Sequence, residues 1–277
     1  MEKFMNFFEK FLALLDGKMT TPTAFGWFHI LSIVLVIVGI VVVCLTCKHL
    51  TDKQFRIITL CASLLLIILE IYKQLNYSYN PSTDTWDYQW YAFPFQFCST
   101  PMYVMLLIAC LKEGKFRDFL CSFLATFGLF AGLIVMILPG DVFVKTIGIN
   151  IQTMVHHGTM VVMGVFMFVS GRAKIQHKTI LKGAAVFAVL VAMAFVLNIV
   201  FHYAGNGETF NMFYIGPYIP CHLILLSDLW AVLPYPIWLI IYIAGFTLAG
   251  YVMLLIAMLI KKIATTINNK KSLAKKQ

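Results

Sequence analysis

Seven stretches of this sequence run for about the twenty residues a helix needs to cross a bilayer with almost no charge: roughly 27–47, 57–76, 91–111, 119–138, 151–171, 180–203 and 236–260. A chain patterned this way has no way to bury its apolar surface in a soluble core. With 61% hydrophobic and 12% charged residues and a mean hydropathy of +0.86, it lacks the polar groups to coat a globule of its 277 residues. The expected fold is all-α, a polytopic membrane bundle of seven transmembrane helices in one domain, 27–260.

Two flanking segments complete that layout. The opening stretch MEKFMNFFEKFLALLDGK spaces Phe4, Phe7, Phe8, Phe11, Leu14 and Leu15 at helical intervals, with Lys3, Glu9, Lys10 and Asp16 mostly between them. This predicts an amphipathic helix lying in the interface, within a segment 1–26. It lacks the unbroken apolar centre and small-residue cleavage site of a signal peptide, so it is expected to be retained. A proline-punctuated stretch from Tyr214 to Pro236 is too broken for a span and is expected to be a re-entrant or surface segment before the last one. Residues 261–277 form a basic tail.

Charge sets the direction of threading, because Lys and Arg of short loops collect on the cytoplasmic side. An outside N-terminus sends Lys48, Lys53 and Arg56, then Lys112, Lys115 and Arg117, then Arg172, Lys174, Lys178 and Lys182, and finally the tail lysines to the inside. Only Lys3, Lys10, Lys18, Lys73 and Lys145 remain outside. Trp27, Trp86, Trp90, Trp230 and Trp238 all fall at the outer ends of spans, at headgroup level. The expectation is a multi-pass protein of the cell membrane with its C-terminus in the cytoplasm. Its net charge of +9 follows from that topology and from anionic lipid, and calls for no nucleic acid.

Threading gives each polar residue a depth. Glu70 and Lys73 late in the second span, Gln96 and Cys98 early in the third, His156 and His157 in the fifth, and Asn198 and His202 late in the sixth all fall roughly 5–12 Å below the outer surface at about 1.5 Å per residue. Ionisable groups at such depth are costly unless they face the protein interior and find partners. Glu70 is expected to be neutralised by Lys73, three residues on. A thiol, imidazoles and a carboxylate at one level point to nucleophilic chemistry, since a thiol needs a neighbouring imidazole, cation or helix N-terminus to become thiolate. Ser99-Thr100-Pro101 reads as an N-cap with proline in the first turn, which sets Cys98 just before a helix. A start at Pro94 would instead leave a kink at Pro101. His156 and His157 point about 100° apart on a helix. Gly158 permits close approach on the His157 side, which favours His157 as the partner of Cys98.

Seven cysteines, mostly in apolar runs, do not form a disulfide framework. Cys44 and Cys47 make a C-x-x-C without βαβ context and read as packing residues. No phosphate loop is present. Besides an enzyme, the polar set is compatible with a proton-coupled transporter or channel lined by Glu70, Lys73, His157 and His202, with a metal site, though no metal-ligand spacing supports one, or with a structural protein. No cofactor is called for.

The motifs P-F-Q-F-C-S before the third span, E-I-Y-K in the second, I-Q-x-x-x-H-H-G in the fifth and F-N-M-F after the sixth resemble the bacterial YwaF-type membrane proteins, which in turn resemble the transmembrane protein 164 family. The likeness runs from about residue 27 to 260. It implies a cysteine-dependent phospholipid acyltransferase with Cys98 as nucleophile, His157 as general base, membrane phospholipids as partners, and polar positions of unassigned role at Glu70 and Asn211. The family's cysteine motif is closer to P-C-H-L. That string occurs here at Pro220-Cys221-His222-Leu223, out of the family order, making Cys221 a rival nucleophile.

Overall fold

The computed structural model describes residues 10, 16–80, 82–206 and 209–274. Most of the expected amphipathic N-terminal helix lies outside the described residues. Among them run eight helices: α1 (Trp27–Thr46), α2 (Asp52–Ser78), α3 (Thr100–Cys110), α4 (Lys115–Ile137), α5 (Ile147–Val169), α6 (Lys178–Phe201), α7 (Leu226–Val232) and α8 (Tyr235–Ala274). A two-residue hairpin, β1 (Tyr79–Asn80) and β2 (Thr85–Trp86), follows α2. Residues 17–19 are stitched to 145–147 by the Met19 N–H on Lys145 O and the Ile147 N–H on Gly17 O.

Six of these helices are long and apolar enough to cross a membrane. The protein is therefore an all-α, multi-pass membrane protein. The six coincide with six of the seven apolar runs. The exception is the third run, 91–111, where α3 has 11 residues and reaches about 16 Å at 1.5 Å per residue. Pro94 and Pro101 break the run: Trp90–Ala92 is one 3-10 turn, 93–99 is irregular, and the helix starts at Thr100 with Ser99 as N-cap and Pro101 in its first turn. The start at Ser99 is thus the one adopted. The Ser99 side chain makes no cap bond.

The layers follow from how much of each helix is covered. In the most apolar windows of α4 and α5, 67% of residues are buried, against 11% in α1 and α8. Thus α4 and α5 form the centre, and α1 and α8 turn apolar side chains such as Leu35, Val38, Ile240 and Leu248 outward. α1 packs on α5, α2 on α3 and α5, and α6 and α8 on α4. Gly132 lets α4 approach α5 so closely that a Cβ there would lie 2.6 Å from His157 O. A capping box of Thr51 and Gln54 starts α2. A π-turn at Leu124–Gly128 sits fully buried in mid-α4.

The broken stretch after α6 splits in two. Residues 210–213 and 215 are buried among the helices, whereas Ile224 and Leu225 are exposed. α8 runs unbroken across residue 260, so the basic tail begins as a change of composition within one helix.

Candidate functional site

The irregular segment 92–99 is the hub of the polar side chains. Irregular backbone at membrane depth survives only where protein supplies its hydrogen bonds, and here neighbours on three elements do so. From α2, the Gln74 amide donates to Ala92 O (2.6 Å) and to Glu70 Oε1 (2.8 Å). From α5, His156 Nε2 lies 2.9 Å from Cys98 O. From α3, the Tyr103 hydroxyl donates to Pro94 O (3.0 Å).

Glu70 pairs with Lys73 as its spacing predicts, with Oε1 and Nζ 2.8 Å apart. Its Oε2 is buried and has no hydrogen-bond partner among the described residues. The Cys98 segment is thus touched by His156 directly and, at Ala92, by the Glu70–Lys73 pair through Gln74, while His157 follows His156 on the same helix.

The two imidazoles are held differently. A carbonyl oxygen only accepts, so the 2.9 Å contact makes His156 Nε2 the protonated nitrogen, donating to Cys98 O. His156 Nδ1 is sealed from solvent and has no hydrogen-bond partner among the described residues. His157 Nδ1 donates by the same logic to Thr153 O, one turn back on its own helix (2.8 Å), which leaves Nε2 as its basic nitrogen. The ring centroids are 5.4 Å apart. The imidazole in hydrogen-bond contact with residue 98 is thus that of His156, through the backbone. Gly158 does permit a close approach, but of α1: a Cβ there would lie 2.6 Å from Val36 Cγ2. That glycine consequently carries no information about which histidine meets the thiol. Cys98 itself is half-buried, one residue before the N-cap of α3.

Gln96, Asn198 and Asn211 spend their amides on structure. Gln96 Nε2 donates to Asn211 O (3.0 Å) and its Oε1 accepts from Phe213 N (2.9 Å). Asn198 brackets Met212 in the same way, at 2.9 and 2.7 Å. Asn211 Oδ1 accepts from Gly216 N (2.7 Å). Together they fold the largely buried segment 210–216 into the bundle beside the Cys98 segment, with Tyr242 and Tyr235 of α8 donating to Phe213 O and Ile215 O. The turn forces Phe213 and Tyr214 to φ of 58° and 56°, a region costly for residues with a Cβ.

His202 stands apart from this group, stacked on Tyr218 with centroids 3.8 Å apart. Cys221 is buried, its Sγ accepting from Leu223 N at 3.5 Å, and burial pushes its thiol up, away from thiolate. All seven cysteines are unpaired thiols. Among the described residues no three His, Cys, Asp or Glu side chains converge as metal ligands. One participant escaped sequence reasoning. Gln74 had a signal, since it lies one helical turn beyond Glu70 and bonds it.

The sequence profile of the TMEM164 family matches residues 24–261. The chain belongs to the TMEM164 family. The match in this TMEM164-family protein begins just before α1 and ends within α8, so it takes in the six long helices, α3 and the Cys98 segment. No curated protein and no solved structure matches the chain.

Proposed function

We propose that this TMEM164-family protein is an intramembrane acyltransferase that moves acyl chains of phospholipids through a thioester on Cys98. The observation that supports the reading is that the segment carrying a half-buried thiol at the head of α3 is held by His156 at the Cys98 carbonyl, with His157 next on α5 and the Glu70–Lys73 pair tied to the same segment through Gln74. In this scheme His157 Nε2 removes the thiol proton and the sulfur attacks an ester carbonyl. The tetrahedral adduct collapses, the C–O bond breaks, and the leaving lysolipid oxygen takes the proton back from the imidazolium. A second hydroxyl then attacks the acyl-cysteine, gives its proton to His157 and restores the thiol. His156 holds the Cys98 carbonyl, so it positions the nucleophile and leaves the proton transfer to its neighbour. Lys73 and Glu70 set the local charge.

The same reading takes α3 with segment 91–99 as a seventh, partly irregular crossing, 1–26 as an interfacial segment, 27–260 as the membrane domain and 261–277 as a cytoplasmic tail. It puts the N-terminus outside, in the cell membrane, and the cluster within the outer leaflet, where glycerol ester bonds lie just below the headgroups.

A lipid-shaped thiol-directed probe should label the protein and lose that labelling in Cys98→Ala. Acyl exchange between phospholipids by reconstituted protein should be abolished in Cys98→Ala and His157→Gln, and weakened in His156→Gln. Labelling undiminished in Cys98→Ala overturns the assignment. Proton-coupled uptake that survives Cys98→Ser would favour a transporter.

A further inference from the structure

A second polar cluster lies at the other end of the bundle, where the start of α2 meets the loops 111–114 and 170–177. Asp52 there is about 27 Å along α2 from Glu70 at 1.5 Å per residue. The cluster surrounds a cavity of about 330 Å³ whose wall includes Lys115, Arg117, Arg172 and Lys174, with Glu113 and Asp118 as its carboxylates.

The charges in this wall are unequally committed. Both guanidinium groups flank the Phe55 ring, 5.5 and 5.1 Å from its centroid. Arg117 Nη2 is 2.5 Å from Asp52 Oδ1, its Nη1 donates to Leu111 O, and its side chain is 3% exposed. Arg172 shares the same Asp52 oxygen at 3.6 Å. Asp118 is taken by Lys182. Lys115 and Lys174 have no ion pair among the described residues. The remaining wall carboxylate, Glu113, reaches Arg172 at 3.1 Å and Arg117 at 3.8 Å from a side chain that is 73% exposed.

Two planar guanidinium groups fixed by an aromatic ring, a half-exposed aspartate and a carbonyl are prearranged donors, and their fork geometry suits carboxylate and phosphate oxygens alike. A solvated glutamate gives up little on leaving such a position. We propose that this cavity binds a phosphate group, a phosphomonoester or phosphodiester, between Arg117 and Arg172, with the Glu113 carboxylate occupying the place one phosphate oxygen takes and swinging out when it binds. Lys115 and Lys174 complete the charge around the phosphate. Four cationic residues line the cavity; once Glu113 leaves, they are opposed by the one Asp52 carboxylate that the two arginines share and by Asp118, which is neutralised by Lys182. The cavity has room for a phosphate with a small head attached. That phosphate belongs either to a lipid headgroup or to a soluble phosphate compound. The site is separate from Cys98, and its test does not depend on acyl transfer.

The test uses the full chain purified in neutral detergent and in phosphatidylcholine nanodiscs with or without phosphatidic acid. Thermal unfolding is followed as glycerol phosphate or inorganic phosphate is added, or as phosphatidic acid replaces phosphatidylcholine. The midpoint should rise with one of the two sources. Lys115→Gln with Lys174→Gln, both exposed and remote from the core, should weaken the response roughly tenfold in concentration, and Glu113→Gln should strengthen it. A response to soluble phosphate assigns the site to a soluble compound; a response to phosphatidic acid alone assigns it to a headgroup. The proposal is overturned if neither source raises the midpoint, or if the lysine pair and Glu113→Gln leave the response unchanged. A lattice of purely structural ion pairs predicts the opposite sign for Glu113→Gln, a lower midpoint with no phosphate response.

Discussion

Gln96 imitates a peptide group: its amide donates to Asn211 O and accepts from Phe213 N, replacing bonds that a regular helix or sheet would make internally. Gln96→Leu leaves both backbone groups buried without partners, which costs about 1–3 kcal/mol for each. A matching drop in thermal midpoint in detergent checks this, and Gln96→Glu should recover the half that accepts. Glu70 and Lys73 make a different kind of pair, because each charge is tolerable only with the other. Glu70→Leu strands the Lys73 ammonium in a largely buried site and should lower stability by about 3–5 kcal/mol. The double change to Glu70→Leu and Lys73→Met should recover most of the loss, and a double-mutant cycle measures the coupling. At this scale two of the expected neighbours meet: Glu70 with Lys73, and His156 with the Cys98 carbonyl. What each group bonds was legible for Glu70 with Lys73, three residues apart. It was not legible for Gln96 or Asn211, whose partners are more than a hundred residues away in one case and a buried turn in the other.

Helices α4 and α5 meet at a glycine, and that contact carries the site. A Cβ at Gly132 would press 2.6 Å from His157 O and 2.9 Å from Met160 Cβ. A carbonyl in mid-helix has no rotamer by which to yield, so Gly132→Ala must shift α5 and should cost about 1–3 kcal/mol. Gly245→Ala, where no atom lies within 4 Å, should be neutral or slightly stabilising. Both are read by thermal unfolding, and His157-dependent labelling of Cys98 should fall in the first alone. The third apolar run shows the limit of hydropathy at the scale of an element. Its length and composition match a span, yet Pro94 and Pro101 confine the helix to Thr100–Cys110. The prolines were visible in the sequence; that Gln74, His156 and Tyr103 would satisfy the freed backbone was not.

Across the whole molecule, the hairpin end with Ser82 and the cavity end with Gly114 are separated by the full length of α2 and α3, and the proposed threading puts them on opposite sides of the membrane. A membrane-impermeant maleimide should label Ser82→Cys from outside intact cells and leave Gly114→Cys unlabelled until the membrane is opened. Labelling of Gly114→Cys first would invert the topology. The apolar runs, the basic loops and the prolines were enough by themselves to determine an all-helical membrane bundle, because hydropathy and backbone chemistry act within about twenty residues of each other. The tertiary structure alone decided that His156 is the histidine bonded to residue 98, that Gly158 faces α1, that Gln96, Asn198 and Asn211 pin a buried turn, and that Arg117 and Arg172 share one ring and one aspartate. These are contacts between distant segments, set by which helix faces which, and the pattern along a single span does not contain that information.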